Sequence, residues 1–117
     1  MIPAILFILF IPWLSDFVLQ TDYQARNKSK TLKALIMHTS LYSLTWISLW
    51  PLLGKYTFYF IGITFIAHTF TDFFTSKLNA KLRSDNNERK FFISLGFDQF
   101  LHHVQLILTY NHLHEIP

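Results

Sequence analysis

From Ala34 to Gly54 the chain runs through 21 residues without an Asp, Glu, Lys or Arg. A hydrocarbon core about 30 Å thick takes roughly 20 helical residues to cross, so this stretch has the length and composition of a transmembrane helix. A helix on the surface of a soluble bundle would carry a polar face along its length. Here only scattered Ser, Thr and His interrupt the apolar run. Three other stretches match it in length. The first, residues 1–21, reaches Asp16 before meeting an ionised side chain; the third, 56–76, is broken by His68 and Asp72; the fourth, 91–110, contains Asp98, His102 and His103. With the second at 33–53, they predict an all-α fold, an integral membrane bundle of four transmembrane helices in a single transmembrane domain over residues 1–117.

The remaining composition narrows the chemistry. With no cysteine, a disulfide framework, a thiolate zinc site, an iron–sulfur cluster and a cysteine nucleophile are excluded. Ten Lys and Arg against seven Asp and Glu give a formal charge of +3, a balance compatible with a small nucleic-acid binder. The placement of the bases argues for no nucleic acid. Arg26, Lys28, Lys30 and Lys33 crowd the first connection, and Lys77, Lys81, Arg83, Arg89 and Lys90 the third, which leaves Lys55 alone on the other side. Basic residues favour cytoplasmic connections, so both basic connections are expected in the cytoplasm, with the N and C termini outside. Trp46, Trp50, Tyr56 and Tyr59 then fall at the outer interface, where amphipathic rings are favoured. Met1–Phe10 has no base ahead of its apolar run and no small-x-small cleavage pattern, so it reads as a retained span rather than a signal peptide.

Ionisable groups inside a span are costly and by default mark function. Asp16 and Gln20, His68 and Asp72, and Asp98 and His102 are each four residues apart, a spacing that aims both members of a helical pair at one target. At about 1.5 Å per residue from the cytoplasmic ends, Asp16, His38, His68, Asp72, Asp98 and His102 all fall close to the midplane or on its cytoplasmic side. Alternate helices run in opposite directions, so a shared layer is not an accident of spacing. Carboxylates and imidazoles converging in this way are the ligand types used for zinc, manganese or iron in bundle cores. A buried carboxylate cluster without counter-charge would protonate, whereas a divalent metal holds it ionised. Interhelical Asp–His hydrogen bonds without an ion, or a proton path, are the alternatives. Gln20, Lys28, Lys77 and Gln99 border the same layer and are expected to support the ligands or to meet a substrate.

At these residues the sequence resembles a family of small bacterial and phage membrane proteins, domain-of-unknown-function family three-three-zero-seven. The resemblance rests on Ser15-Asp16-Phe17-Val18-Leu19-Gln20-Thr21-Asp22, Asn27-Lys28, His38, His68-Thr69-Phe70-Thr71-Asp72 and Phe97-Asp98-Gln99-Phe100-Leu101-His102, and it covers nearly the whole chain. It implies a multi-pass protein with a polar cluster, in a bacterial inner (plasma) membrane. The family pattern usually has a His four residues before its first Asp, where this chain has Pro12; if that His is a ligand in the family, one position is lost here.

Three functions fit these features. A metal-dependent hydrolase would hold its ion with the six Asp and His side chains, leave one carboxylate as a base, and act on lipid at the cytoplasmic headgroup level. A proton or divalent-cation transport or channel protein, as a homo-oligomer, would need the polar stripes to continue to the outer surface. An accessory structural membrane protein would use the cluster only to lock its helices. Membrane lipids are the expected partners in all three.

Overall fold

Helix α1 (Ile2–Trp13) is built almost entirely from large apolar side chains and contains Pro12, which has no N–H to return to the preceding turn. Directly beyond it the backbone widens into a π turn, Leu14–Val18, closed by Leu19 N–H donating to the Leu14 carbonyl at 2.8 Å. Bends at Leu19 and Gln20 end this segment. Thr21 then starts helix α2 (Asp22–Asn27) with a capping box, its hydroxyl accepting from Gln24 N–H at 3.2 Å while Gln24 Oε1 accepts from Thr21 N–H. The Thr31 hydroxyl caps helix α3 (Leu32–Leu44) in the same manner. The computed structural model describes residues 2–116, apart from the side chains of Ile2, Pro3, Asp22 and Ala25. Met1, Pro117 and the Asp22 side chain, all included in the sequence expectations, lie outside the described residues.

From α3 the chain tightens to a 3-10 segment at Thr45–Leu49, continues as α4 (Trp50–Leu53), makes a second 3-10 turn at Gly54–Tyr56 and enters α5 (Thr57–Ser84). Counted as one helical run, Leu32–Ser84 has 53 residues and would be about 80 Å long if straight. The longest dimension of the molecule is 49 Å. Gly54 removes the conflict: its φ of 55° lies where only glycine is at ease, and α5 folds back along α3. The next reversal is shorter still. Asn86, at φ 57°, ends α5 in a Schellman arrangement, with Asn87 N–H donating to Leu82 C=O and Asn86 N–H to Arg83 C=O. Asn87 then caps α6 (Glu88–His114) by accepting from Lys90 N–H at 3.2 Å. The long basic connection expected at 77–90 is therefore mostly helix, with only Asp85, Asn86 and Asn87 between α5 and α6.

Helix α5 lies between α3 and α6, and α1 packs on α6. The interior divides into two zones. Ile8, Tyr42, Trp46, Leu49, Phe60, Leu106 and Tyr110 fill one apolar zone, while His38, Thr39, His68, Asp72, Asp98 and His102 occupy the half nearer the basic loops. Trp46 is fully buried, its ring 5.2 Å from that of Phe60. It is a core residue and not the interfacial one expected from its position, whereas Trp50 and Tyr59 are exposed.

The outer surface is apolar on every long helix, with Phe10, Leu44, Ile66, Phe70 and Leu108 all more than half exposed. By length and composition, the run Leu32–Ser84 is apolar enough to cross a membrane, and Ala4–Val18 is a shorter apolar helix. Among the described residues no other helix meets that measure; in α6 the polar residues Asp98, His102, His103 and Gln105 lower the hydropathy. The all-α class agrees with the expectation. The expected four spans do not follow from composition of the folded elements, and the first is not a helix through Thr21 but α1 plus a π turn ending at Val18.

Candidate metal centre

The π turn places Ser15 and Asp16 inward, where Ser15 Oγ meets Thr45 Oγ1 at 2.8 Å and anchors the turn to the α3 side. Such turns insert an extra residue into a helix and recur at functional sites. Opposite it, α3 supplies His38, α5 supplies His68 and Asp72 one turn apart, and α6 supplies Asp98 and His102 at the same spacing. All six residues are buried, none more than 6% exposed.

His68 is the hub. Its Nε2 lies 3.2 Å from His38 Nε2 and 3.3 Å from Asp72 Oδ2, and His38 Nε2 is 3.2 Å from that same oxygen. These three atoms form a nearly equilateral triangle. Asp16 Oδ1 adds a second triangle on the His38–His68 edge, at 3.1 Å and 3.8 Å from the two nitrogens. Yet neither Asp16 Oδ1 nor Asp72 Oδ2 has a hydrogen-bond partner. The two imidazole nitrogens pair with each other, while the two carboxylate oxygens crowd against them at contact distance without a hydrogen bond, which is costly for buried groups.

His102 lies on the other side of His68. His102 Nε2 is 3.2 Å from Asp72 Oδ1 and in line to donate to it. With neutral rings, His102 Nδ1 is then an acceptor, and His68 Nδ1, 3.1 Å away, must carry the proton. In that tautomer His68 Nε2 would be the bare nitrogen, and it is the one that faces His38, Asp16 and Asp72. The Tyr42 ring, stacked on His68 at 3.8 Å and 11°, holds the imidazole plane. Asp98 Oδ1, 3.1 Å from His102 Nε2, sits behind this relay.

Buried Asp and His side chains here could hold a metal ion. Asp16, His38 and His68 form one set with donor atoms within 4.8 Å of one another, and His68, Asp72 and His102 form another. Asp98 belongs to neither set and reaches the centre through His102. Of the supporting residues expected from sequence, Gln99 Nε2 reaches Asp16 Oδ2 at 3.5 Å and Lys28 Nζ comes within 3.8 Å of Asp72 Oδ2. Gln20 is half-buried and borders the adjoining cleft, although the π turn and the bend remove the helical face it was expected to share with Asp16. Lys77 does not reach the centre: it is exposed, with its ammonium 4.4 Å from the Phe73 ring. Tyr42 was not foreseen, although its position one turn after His38 on an apolar helix was the available signal.

A cleft of about 570 Å³ opens from the centre towards the basic loops. Asp16, Asp72 and Asp98 border it inside, and Arg26, Lys28, Lys30 and Arg83 border it nearer the surface. No curated protein and no solved structure matches the chain. A family model described as "Protein of unknown function (DUF3307)" matches residues 5–116, and the chain belongs to that family.

Proposed function

We propose that the protein is a polytopic membrane metalloprotein whose buried centre holds one divalent cation and performs hydrolysis at the level of the cytoplasmic headgroups. The observation that carries this reading is the triangle of His38 Nε2, His68 Nε2 and Asp72 Oδ2, with sides of 3.2, 3.2 and 3.3 Å. Tetrahedral zinc with ligands about 2.0–2.1 Å away sets them about 3.3–3.4 Å apart. Asp16 is the fourth donor, and zinc suits the nitrogen and oxygen set better than manganese or iron, which favour more ligands. His102 and Asp98 orient His68 and Asp72, as partners of metal ligands commonly do.

Membrane embedding is supported by burial. In the most apolar window of the Leu32–Ser84 run only 28% of residues are buried inside the fold, whereas a soluble core helix of that hydropathy would be mostly covered. The remaining apolar surface is accounted for by four helical legs in lipid, with the basic loops in the cytoplasm. Transport is disfavoured by the closed apolar zone of Trp46, Leu49, Phe60 and Leu106 beyond the centre, and Gln105 is occupied by Thr64 and Thr109. A helix lock without metal is disfavoured by the buried oxygens of Asp16 and Asp72 that have no hydrogen bond.

A bound divalent ion would supply Lewis-acid activation of water or of an ester oxygen. The chain's own part is to fix the ligand tautomers, admit substrate through the cleft and exclude water from the opposite side. Metal analysis of chelator-free, detergent-purified protein tests the reading. About one zinc per chain, abolished in His38→Ala and His68→Ala with the helical content kept, supports it. Metal-free protein that cannot be loaded with zinc refutes it.

A further inference from the structure

We infer that the cleft is a binding site for a phosphate-bearing ligand, and that the substrate is a phosphate ester; this rests on the metal-hydrolase reading above. The cleft is divided by charge along its depth. Asp72 and Arg83 are both on α5 and both border the cleft, and the eleven-residue separation puts the mouth about 16 Å from the centre. Asp16, Asp72 and Asp98 are at most 6% exposed, and each has a carboxylate oxygen without a hydrogen-bond partner. Four cations and three carboxylates border the cleft, a balance of +1; one divalent ion at the centre raises it to +3. A cleft that is cationic overall once loaded, with its bases at the mouth and the metal ion at the floor, selects an anion, and its 570 Å³ is within the common range for a small-molecule site.

Two features favour phosphate over a simple carboxylate. Arg26 and Arg83 present planar guanidinium groups, which pair with phosphate oxygens in a bidentate manner. The Arg83 guanidinium is held over the Phe91 ring at 4.5 Å, fixing it at the wall. Lys28, 3.8 Å from Asp72 Oδ2, bridges mouth and centre and can neutralise an anion as it nears the ion. Phe17 and Leu95 complete an apolar wall. Phe17 is also 54% exposed on the outside, so the wall is continuous with the apolar surface and suits an ester with a hydrocarbon chain.

The reaction balances with water as the only co-reactant. A water oxygen forms a bond to phosphorus while the ester P–O bond breaks, and one water proton ends on the leaving alcohol oxygen. Nothing is oxidised or reduced.

The test uses zinc-loaded protein in phosphatidylcholine nanodiscs with three probes: phosphatidic acid mixed into the disc, water-soluble p-nitrophenyl phosphate, and the uncharged p-nitrophenyl acetate. Release of phosphate from either phosphate ester, competed by inorganic phosphate, supports the inference; preference for the first identifies a lipid source and for the second a soluble one. Arg26→Gln with Lys30→Gln is expected to raise KM about tenfold with kcat within twofold, because both lie at the mouth. Cleavage of the acetate alone, with the double variant indistinguishable from the parent, overturns the phosphate assignment while leaving the hydrolase reading intact. Protein that binds no zinc, and cleaves none of the probes, overturns both.

Discussion

Replacing Ile66 by Asp discriminates sharply between a lipid-embedded and a water-exposed surface. Ile66 is 70% exposed and sits nine residues into α5, about 13 Å from the Thr57 end. In a core about 30 Å thick whose outer edge is near Thr57, that is close to the midplane. Transfer of Asp for Ile at a helix centre in a membrane costs about 3–4 kcal/mol, a factor of about 10² to 10³ in the inserted population. In water the same change removes a side chain whose buried fraction is small and should cost under about 1 kcal/mol. Leu78, 49% exposed on the same helix, lies about 31 Å from Thr57, and Leu78→Asp should cost about 0–1 kcal/mol in either setting. The assay is the fraction of each variant integrated into membranes, read by resistance to alkaline extraction. Loss of integration in Ile66→Asp with retention in Leu78→Asp is expected. Equal behaviour of the two variants, or Ile66→Asp protein that is folded and monodisperse without detergent, would refute the reasoning.

Other perturbations separate ligands from their supports. His68→Ala should abolish zinc binding, whereas His102→Ala should weaken it about 10–100-fold as the loss of an orienting partner does, measured by competition with a chromophoric chelator. Acidification from pH 7.5 to 5 should release the metal reversibly, because protons compete for the lone pairs of His38 and His68 as pH falls; metal in the dialysate is the readout. Trp46→Ala should cost about 3–5 kcal/mol through the cavity it leaves, against under about 1 kcal/mol for Trp50→Ala, in denaturation monitored by circular dichroism.

The parts of this structure legible in the sequence are those governed by local periodicity. The uncharged run from Ala34 to Gly54 gives α3 through α4 almost residue for residue, and Pro51 with Gly54 marks its end. The i, i+4 pairs His68/Asp72 and Asp98/His102 keep their shared faces because α5 and α6 are unbroken there. Asp16 and Gln20 fail the same argument. Pro12 and the Ser15–Thr45 contact accompany a π turn between them, and a tertiary contact 30 residues away leaves no local signal. The division of labour within the cluster was equally hidden. Sequence places six ligand-type side chains in one layer, but only the His102-to-Asp72 hydrogen bond and the His68–His102 distance distinguish an orienting pair from the donors. Lys77 was misplaced because its charge suggested the site while its long apolar stem favours the Phe73 face.

The centre itself is tested most directly by X-ray absorption at the zinc edge on loaded protein in nanodiscs. A first shell of four nitrogen and oxygen atoms about 2.0–2.1 Å from the metal, with the outer scattering of two imidazoles and its loss in His68→Ala, is the predicted result. A six-oxygen shell without imidazole scattering, unchanged in His68→Ala, would place the ion elsewhere and contradict the assignment of Asp16, His38, His68 and Asp72 as its ligands.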